Sequence, residues 1–74
     1  MGQIRNQALI DSIAVRLKQI REAKGITQEV VVYDTSINIG RIEAGQINIS
    51  VSTLEAICRY FNITLREFFA EGFE

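Results

Sequence analysis

Between Gly25 and Gly45 the chain reads GITQEVVVYDTSINIGRIEAG. Two short stretches with helical spacing are separated here by Asp34, Thr35 and Ser36, residue types that favour turns. A glycine closes the helical pattern before this segment and another ends it, each suited to a left-handed helix stop. A segment punctuated in this way cannot hold one long helix. It demands a compact helical pair, and the rest of the chain must supply what that pair packs on.

The spacing of apolar residues predicts helices on both sides. Helix 1 is expected from about Asn6 to Lys24, with Ile10, Ile13, Leu17 and Ile20 on one stripe and Gly25 as its stop. Helix 2 opens at Thr27, a good N-cap, with Gln28 and Glu29 in its first turn. Val30, Val31 and Val32 favour strand locally, but the run is short and lies between a cap and a turn, so helix is expected. Helix 3 is expected from about Ile37 to Ala44, with Ile39 and Ile42 toward the core. A polar loop, Gln46–Ile49, follows. Helix 4 starts near Ser50, with Ser52 as a competing cap because Ser52 and Glu55 have capping-box spacing. Its inner face is Leu54, Ile57, Cys58 and Phe61, and Asn62 suits a left-handed stop. Helix 5 carries the box Thr64-x-x-Glu67, followed by Phe68 and Phe69, and Ala70–Glu74 is expected to fray. The expectation is a single all-α, five-helix domain over residues 1–74.

Composition narrows the function. The chain has 74 residues, enough for one domain with a modest core. No run approaches the roughly 20 apolar residues of a membrane span. The start, MGQIRNQ, lacks a signal-peptide layout, and Asn6 stands where myristoylation after Gly2 would need Ser or Thr. A cytoplasmic protein is expected. Cys58 is the single cysteine and there is no histidine, so one chain can form neither a disulfide nor a Cys-His or Ser-His-Asp set. Cys58 reads as a small buried core residue. No metal, cofactor or small-molecule substrate is expected.

The net charge of −1 is unusual for a nucleic-acid binder. Its distribution is uneven. Arg5, Arg16, Lys18, Arg21 and Lys24 crowd the N-terminal third, and Glu67, Glu71 and Glu74 crowd the end. One face could therefore meet phosphates; alternatively Arg5, Arg16, Lys18 and Lys24 are the wet face of helix 1.

Five pieces follow in order: Leu17-Lys-Gln-Ile-Arg21, Lys24-Gly-Ile-Thr-Gln-Glu29, Arg41-Ile-Glu-x-Gly45, Ser50-x-x-Thr-Leu54 and Asn62-Ile-Thr-Leu-x-x-Phe-Phe69. Together, over about residues 13–69, they resemble the helix-turn-helix domain of the phage repressor/Cro type, the XRE family. The resemblance implies a lambda-repressor-like, sequence-specific binder of double-stranded DNA, commonly a homodimer, with helix 3 in the major groove. It implies base contacts from Ser36, Asn38 and Arg41. Asn and Arg are apt by chemistry, since they pair bidentately with adenine and guanine. It also implies phosphate contacts from Gln28, Gln46 and Asn48, and an internal ion pair between Arg21 and Glu43.

The span from Thr27 to Glu43 is shorter than the family's usual pattern. The usual turn glycine is missing, with Ser36 nearest its place, and Gly40 lies inside the recognition helix. Phe68 or Phe69 is expected inward, and Phe73 at a dimer contact or disordered. The leading function is a non-enzymatic transcriptional regulator, such as a repressor. Two alternatives fit the same residues: a protein-interaction module of this fold without DNA binding, and the DNA-binding antitoxin of a toxin–antitoxin pair.

Overall fold

A computed structural model describes residues 4–74; Gly2 lies outside them. Five helices follow in order: α1 (Gln7–Ala23), α2 (Gln28–Thr35), α3 (Ile39–Glu43), α4 (Val51–Tyr60) and α5 (Leu65–Phe68), and no strand forms among the described residues. Every helix starts on a side chain that accepts a backbone N–H. Asn6, Thr27, Asn38, Ser50 and Thr64 each bond the N–H three residues on, satisfying a donor that the first turn would otherwise leave unpaired.

Local chemistry also sets the stops. Gly25, Gly45 and Asn62 take positive φ after α1, α3 and α4. Ser36 does so after α2, with φ of 61°. This is the turn in which a glycine is usual, and serine there carries the Cβ strain that glycine lacks.

The apolar stripes meet in one core. Leu17, Val31, Ile39, Ile57 and Phe68 are wholly shielded from solvent, joined by Ile13, Ile20, Ile42, Leu54, Cys58 and Phe61. Burying a side chain of this size contributes about 1.5–3 kcal/mol. Each of the five helices sends at least one residue into this cluster, so α2 and α3, too short to be stable alone, are held by packing. Burial also pushes the Cys58 thiol above its usual pKa, which suits a packing role.

Two expectations and two alternative readings need correction. Helix 3 begins at Ile39 rather than Ile37, because Asn38 turns its carboxamide onto the Arg41 N–H and becomes the cap. Ser50 caps α4, so the competing box of Ser52 does not form, and Glu55 instead pairs with Arg59 one turn on. Phe73 folds back on its own chain. Its ring lies 5.7 Å from that of Phe68 and 4.8 Å from that of Phe69, and it packs against the core. Arg16 is not a solvated residue. It donates to the carbonyls of Phe68 at 2.8 Å and Glu67 at 2.9 Å, neutralising the carbonyl end of α5.

Candidate nucleic-acid interface

The short helix α3 is aimed by a buried charge cluster. Arg21 Nε donates to Glu43 Oε2 at 2.7 Å and Nη2 to Oε1 at 3.0 Å, a two-bonded fork. Arg21 Nη1 donates to the Ile26 carbonyl at 2.9 Å, which fixes the α1–α2 turn. Gln28 Nε2 donates to Glu43 Oε1 at 3.1 Å from the start of α2. The side chains of Arg21 and Glu43 are only 10% and 4% exposed. Glu43's hydrogen bonds raise the Arg21 pKa above its already high ordinary value. One cluster therefore locks the end of α1, the start of α2 and the end of α3 together.

Gly40 makes room for this arrangement. A Cβ there would lie 3.1 Å from Gln28 Oε1, tighter than ordinary contact. The glycine in α3 thus lets the Gln28 side chain cross the helix on its way to Glu43.

The turn before α3 is pinned separately. Thr35 Oγ1 donates to the Val31 carbonyl at 2.7 Å and accepts from Ile37 N–H at 3.1 Å. Tyr60 Oη donates to Asp34 Oδ2 at 2.6 Å, tying the end of α2 to α4. That bond raises the Tyr60 pKa.

The outer face follows by subtraction. In α3, Ile39 and Ile42 are buried, Gly40 has no side chain, and Glu43 turns inward. Arg41 is the one long side chain of α3 left pointing outward, and it is exposed. Its Nε lies 3.4 Å from Gln46 Oε1, so its outer nitrogens are unengaged. Ser36 and Asn38 are exposed just before α3, but Asn38 Oδ1 is occupied by the cap, which leaves Nδ2 as its outward donor. Gln28 is half-buried. Gln46 and Asn48 are exposed on the following loop, where Asn48 Nδ2 donates to the Ile4 carbonyl at 3.0 Å.

Residues 12–68 match the family pattern described as a helix-turn-helix domain. The chain belongs to the helix-turn-helix domain family. No curated protein and no solved structure is significantly similar to it. In this helix-turn-helix domain α2 and α3 are joined by the turn at Ser36.

One residue and one contact on this side escaped the sequence reading. Tyr33 is 89% exposed and borders, with Val32, Glu29 and Asn38, an open groove of about 460 Å³ between α2 and α3. A signal was present, because Tyr33 lies about 200° around the helix from the core residue Val31. Arg5 donates to Gln7 Oε1 at 3.1 Å and to the Gln46 carbonyl at 3.4 Å. No sequence signal joins positions so far apart in the chain. Among the described residues, no group of His, Cys, Asp and Glu could hold a metal ion, and no helix is long and apolar enough to cross a membrane.

Proposed function

We propose that this helix-turn-helix domain is a sequence-specific DNA-binding transcriptional regulator of the phage repressor/Cro, or XRE, type. It works in the cytoplasm as a homodimer and performs no chemistry of its own. The observation that carries the reading is α3 itself: five residues long, locked from behind by Arg21 and Glu43, with Arg41 alone reaching outward. A guanidinium carried on a firmly held helix is well suited to read guanine through its O6 and N7. Ser36 and the Nδ2 of Asn38 add donors at the leading end of α3. The second hydrogen of Gln28 Nε2, with Gln46 and Asn48, meets the backbone on either side, fixing register.

Two such helices, about 34 Å apart in a dimer, would reach successive major grooves. The homodimer is supported by an apolar groove of about 300 Å³ whose lining includes Ile4, Leu9, Val51 and Phe69, all four solvent-exposed.

Repeated selection of bound duplexes from a random pool tests the proposal. Enrichment of a two-fold symmetric site is the expected result. Failure to enrich any sequence would overturn it in favour of the protein-interaction module, for which the exposed Tyr33 and Val32 beside the α2–α3 groove provide a surface.

A further inference from the structure

The segment before α1 packs onto the loop after α3. Asn48 Nδ2 donates to the Ile4 carbonyl at 3.0 Å, and Arg5 Nη2 donates to the Gln46 carbonyl at 3.4 Å. Gln7 steadies the same place, accepting from Arg5 Nε and donating to the Gly45 carbonyl at 3.0 Å. From the other side, Arg41 Nε donates to the Gln46 side-chain oxygen at 3.4 Å. Gln46 is thus held between two guanidinium groups, one on its backbone oxygen and one on its side chain.

These two arginines differ from three others in the chain. Arg16, Arg21 and Arg59 each have a carboxylate within ion-pair distance. Among the described residues Arg5, Arg41 and Arg66 have none and are exposed, and of these Arg5 and Arg41 share Gln46 as a neighbour. Asp11, one turn along α1, is engaged by Gln7, whose Nε2 donates to Asp11 Oδ1 at 2.8 Å. Two like charges near one residue, neither with a carboxylate partner, favour an anion beside them. A phosphate diester has the right charge and offers oxygens to the Arg5 fork.

The geometry points to a phosphate contact made by Arg5, seated on Gln46 beside the end of α3, which leaves the outer nitrogens of Arg41 to the bases. It rests on the DNA-binding reading and adds Arg5, which precedes the helical domain, to the contact set. It also changes the part played by Asn48. With its donor directed at the Ile4 carbonyl, Asn48 is a positioning residue that seats the arm, while Arg5 touches the phosphate.

The test is the salt dependence of binding to a short, fluorescein-labelled, random-sequence duplex, followed by anisotropy. Each phosphate neutralised contributes about 0.9 to the slope of log affinity against log salt. Arg5→Ala should lower that slope by about 0.9, so that between about 50 and 200 mM salt its affinity falls about 3.5-fold less than that of the wild type. Arg66→Ala, which removes an exposed charge on α5, should leave the slope unchanged. Asn48→Ala should lower it in the same direction as Arg5→Ala, and the double variant should lose no more than Arg5→Ala alone. Thermal unfolding of each variant, followed by circular dichroism, should match the wild type, because Arg5, Asn48 and Arg66 are exposed. An Arg5→Ala slope equal to that of a binding wild type would overturn the Arg5 contact alone. Additive losses from Arg5 and Asn48 would overturn the positioning role. A wild type without affinity for the duplex would overturn the DNA-binding reading as well.

Discussion

Replacing Arg21 with methionine keeps an unbranched apolar stem and removes the charged guanidinium. Three hydrogen bonds go with it: two to Glu43 and one to the Ile26 carbonyl. Glu43, 4% exposed, is left with the Gln28 amide as its partner. Stranding one member of a buried pair costs about 3–5 kcal/mol. The domain is only 19 Å across its shortest axis, so no group lies far from water and the lower end, about 3 kcal/mol, applies. At about 0.05–0.15 kcal/mol per residue the whole domain has roughly 4–11 kcal/mol to lose. At about 4–8 °C per kcal/mol for a domain of this size, the melting temperature should fall by about 12–24 °C. Urea unfolding followed by far-ultraviolet circular dichroism measures the loss, and calorimetry measures the shift. Arg21→Met combined with Glu43→Leu removes both charges and should recover most of the stability, because a buried pair replaced by apolar side chains is often neutral. A single variant within about 1 kcal/mol of the wild type would place the pair in water, as for an exposed bridge. A double variant as unstable as the single one would show that packing, not the stranded charge, was responsible.

Other perturbations follow from the same geometry. Ser36→Gly removes a left-handed strain of about 1–2 kcal/mol at the cost of about 0.5–1 kcal/mol in chain entropy, so the urea midpoint should rise by a stabilisation of about 0.5–1 kcal/mol. Val51→Glu should convert the proposed dimer to monomer in analytical ultracentrifugation without unfolding it, since residue 51 is 75% exposed and a carboxylate in the first turn of α4 is favourable. The Thr64 N–H bonded to Glu67 lowers that carboxyl's pKa. A lowered acid stabilises the fold above its unfolded pKa of about 4.3, and the contribution is lost as pH falls through the folded value. Acid unfolding of Glu67→Gln should therefore be less steep below about pH 4.3. Tyr60 has the opposite sign. Its raised pKa stabilises the fold below the usual tyrosine range and is lost as pH rises through it, a loss that Tyr60→Phe should abolish in alkaline melts.

What could be read from the chain divides along a physical line. Caps and stops are local. Thr27, Ser50, Thr64, Gly25 and Asn62 each act on backbone within a few residues, so their roles show in the sequence. The α1 stripe is equally legible, because periodicity is a local property. Asn38 was ambiguous for the same reason: it fits a helix interior in spacing and an N-cap in chemistry, and only the left-handed Ser36 before it decides between them. Arg16 and Phe73 depend on where α5 and the chain end fold back, contacts that spacing does not encode. At the candidate interface, Arg41 followed from its fixed distance to the Arg-Ile-Glu-x-Gly segment. The inward turn of Gln28 over Gly40 and the seating of Arg5 on Gln46 are meetings between distant segments.

The central claim is that α3 reads DNA through Arg41. An anisotropy titration of wild type and Arg41→Ala against a selected duplex and a random one tests it directly. The account predicts salt-dependent binding by the wild type that favours the selected duplex. Arg41→Ala should lose about 1–3 kcal/mol more on the selected duplex than on the random one. Equal losses on both would reduce Arg41 to a backbone contact, and a wild type that does not distinguish the two duplexes would contradict the claim.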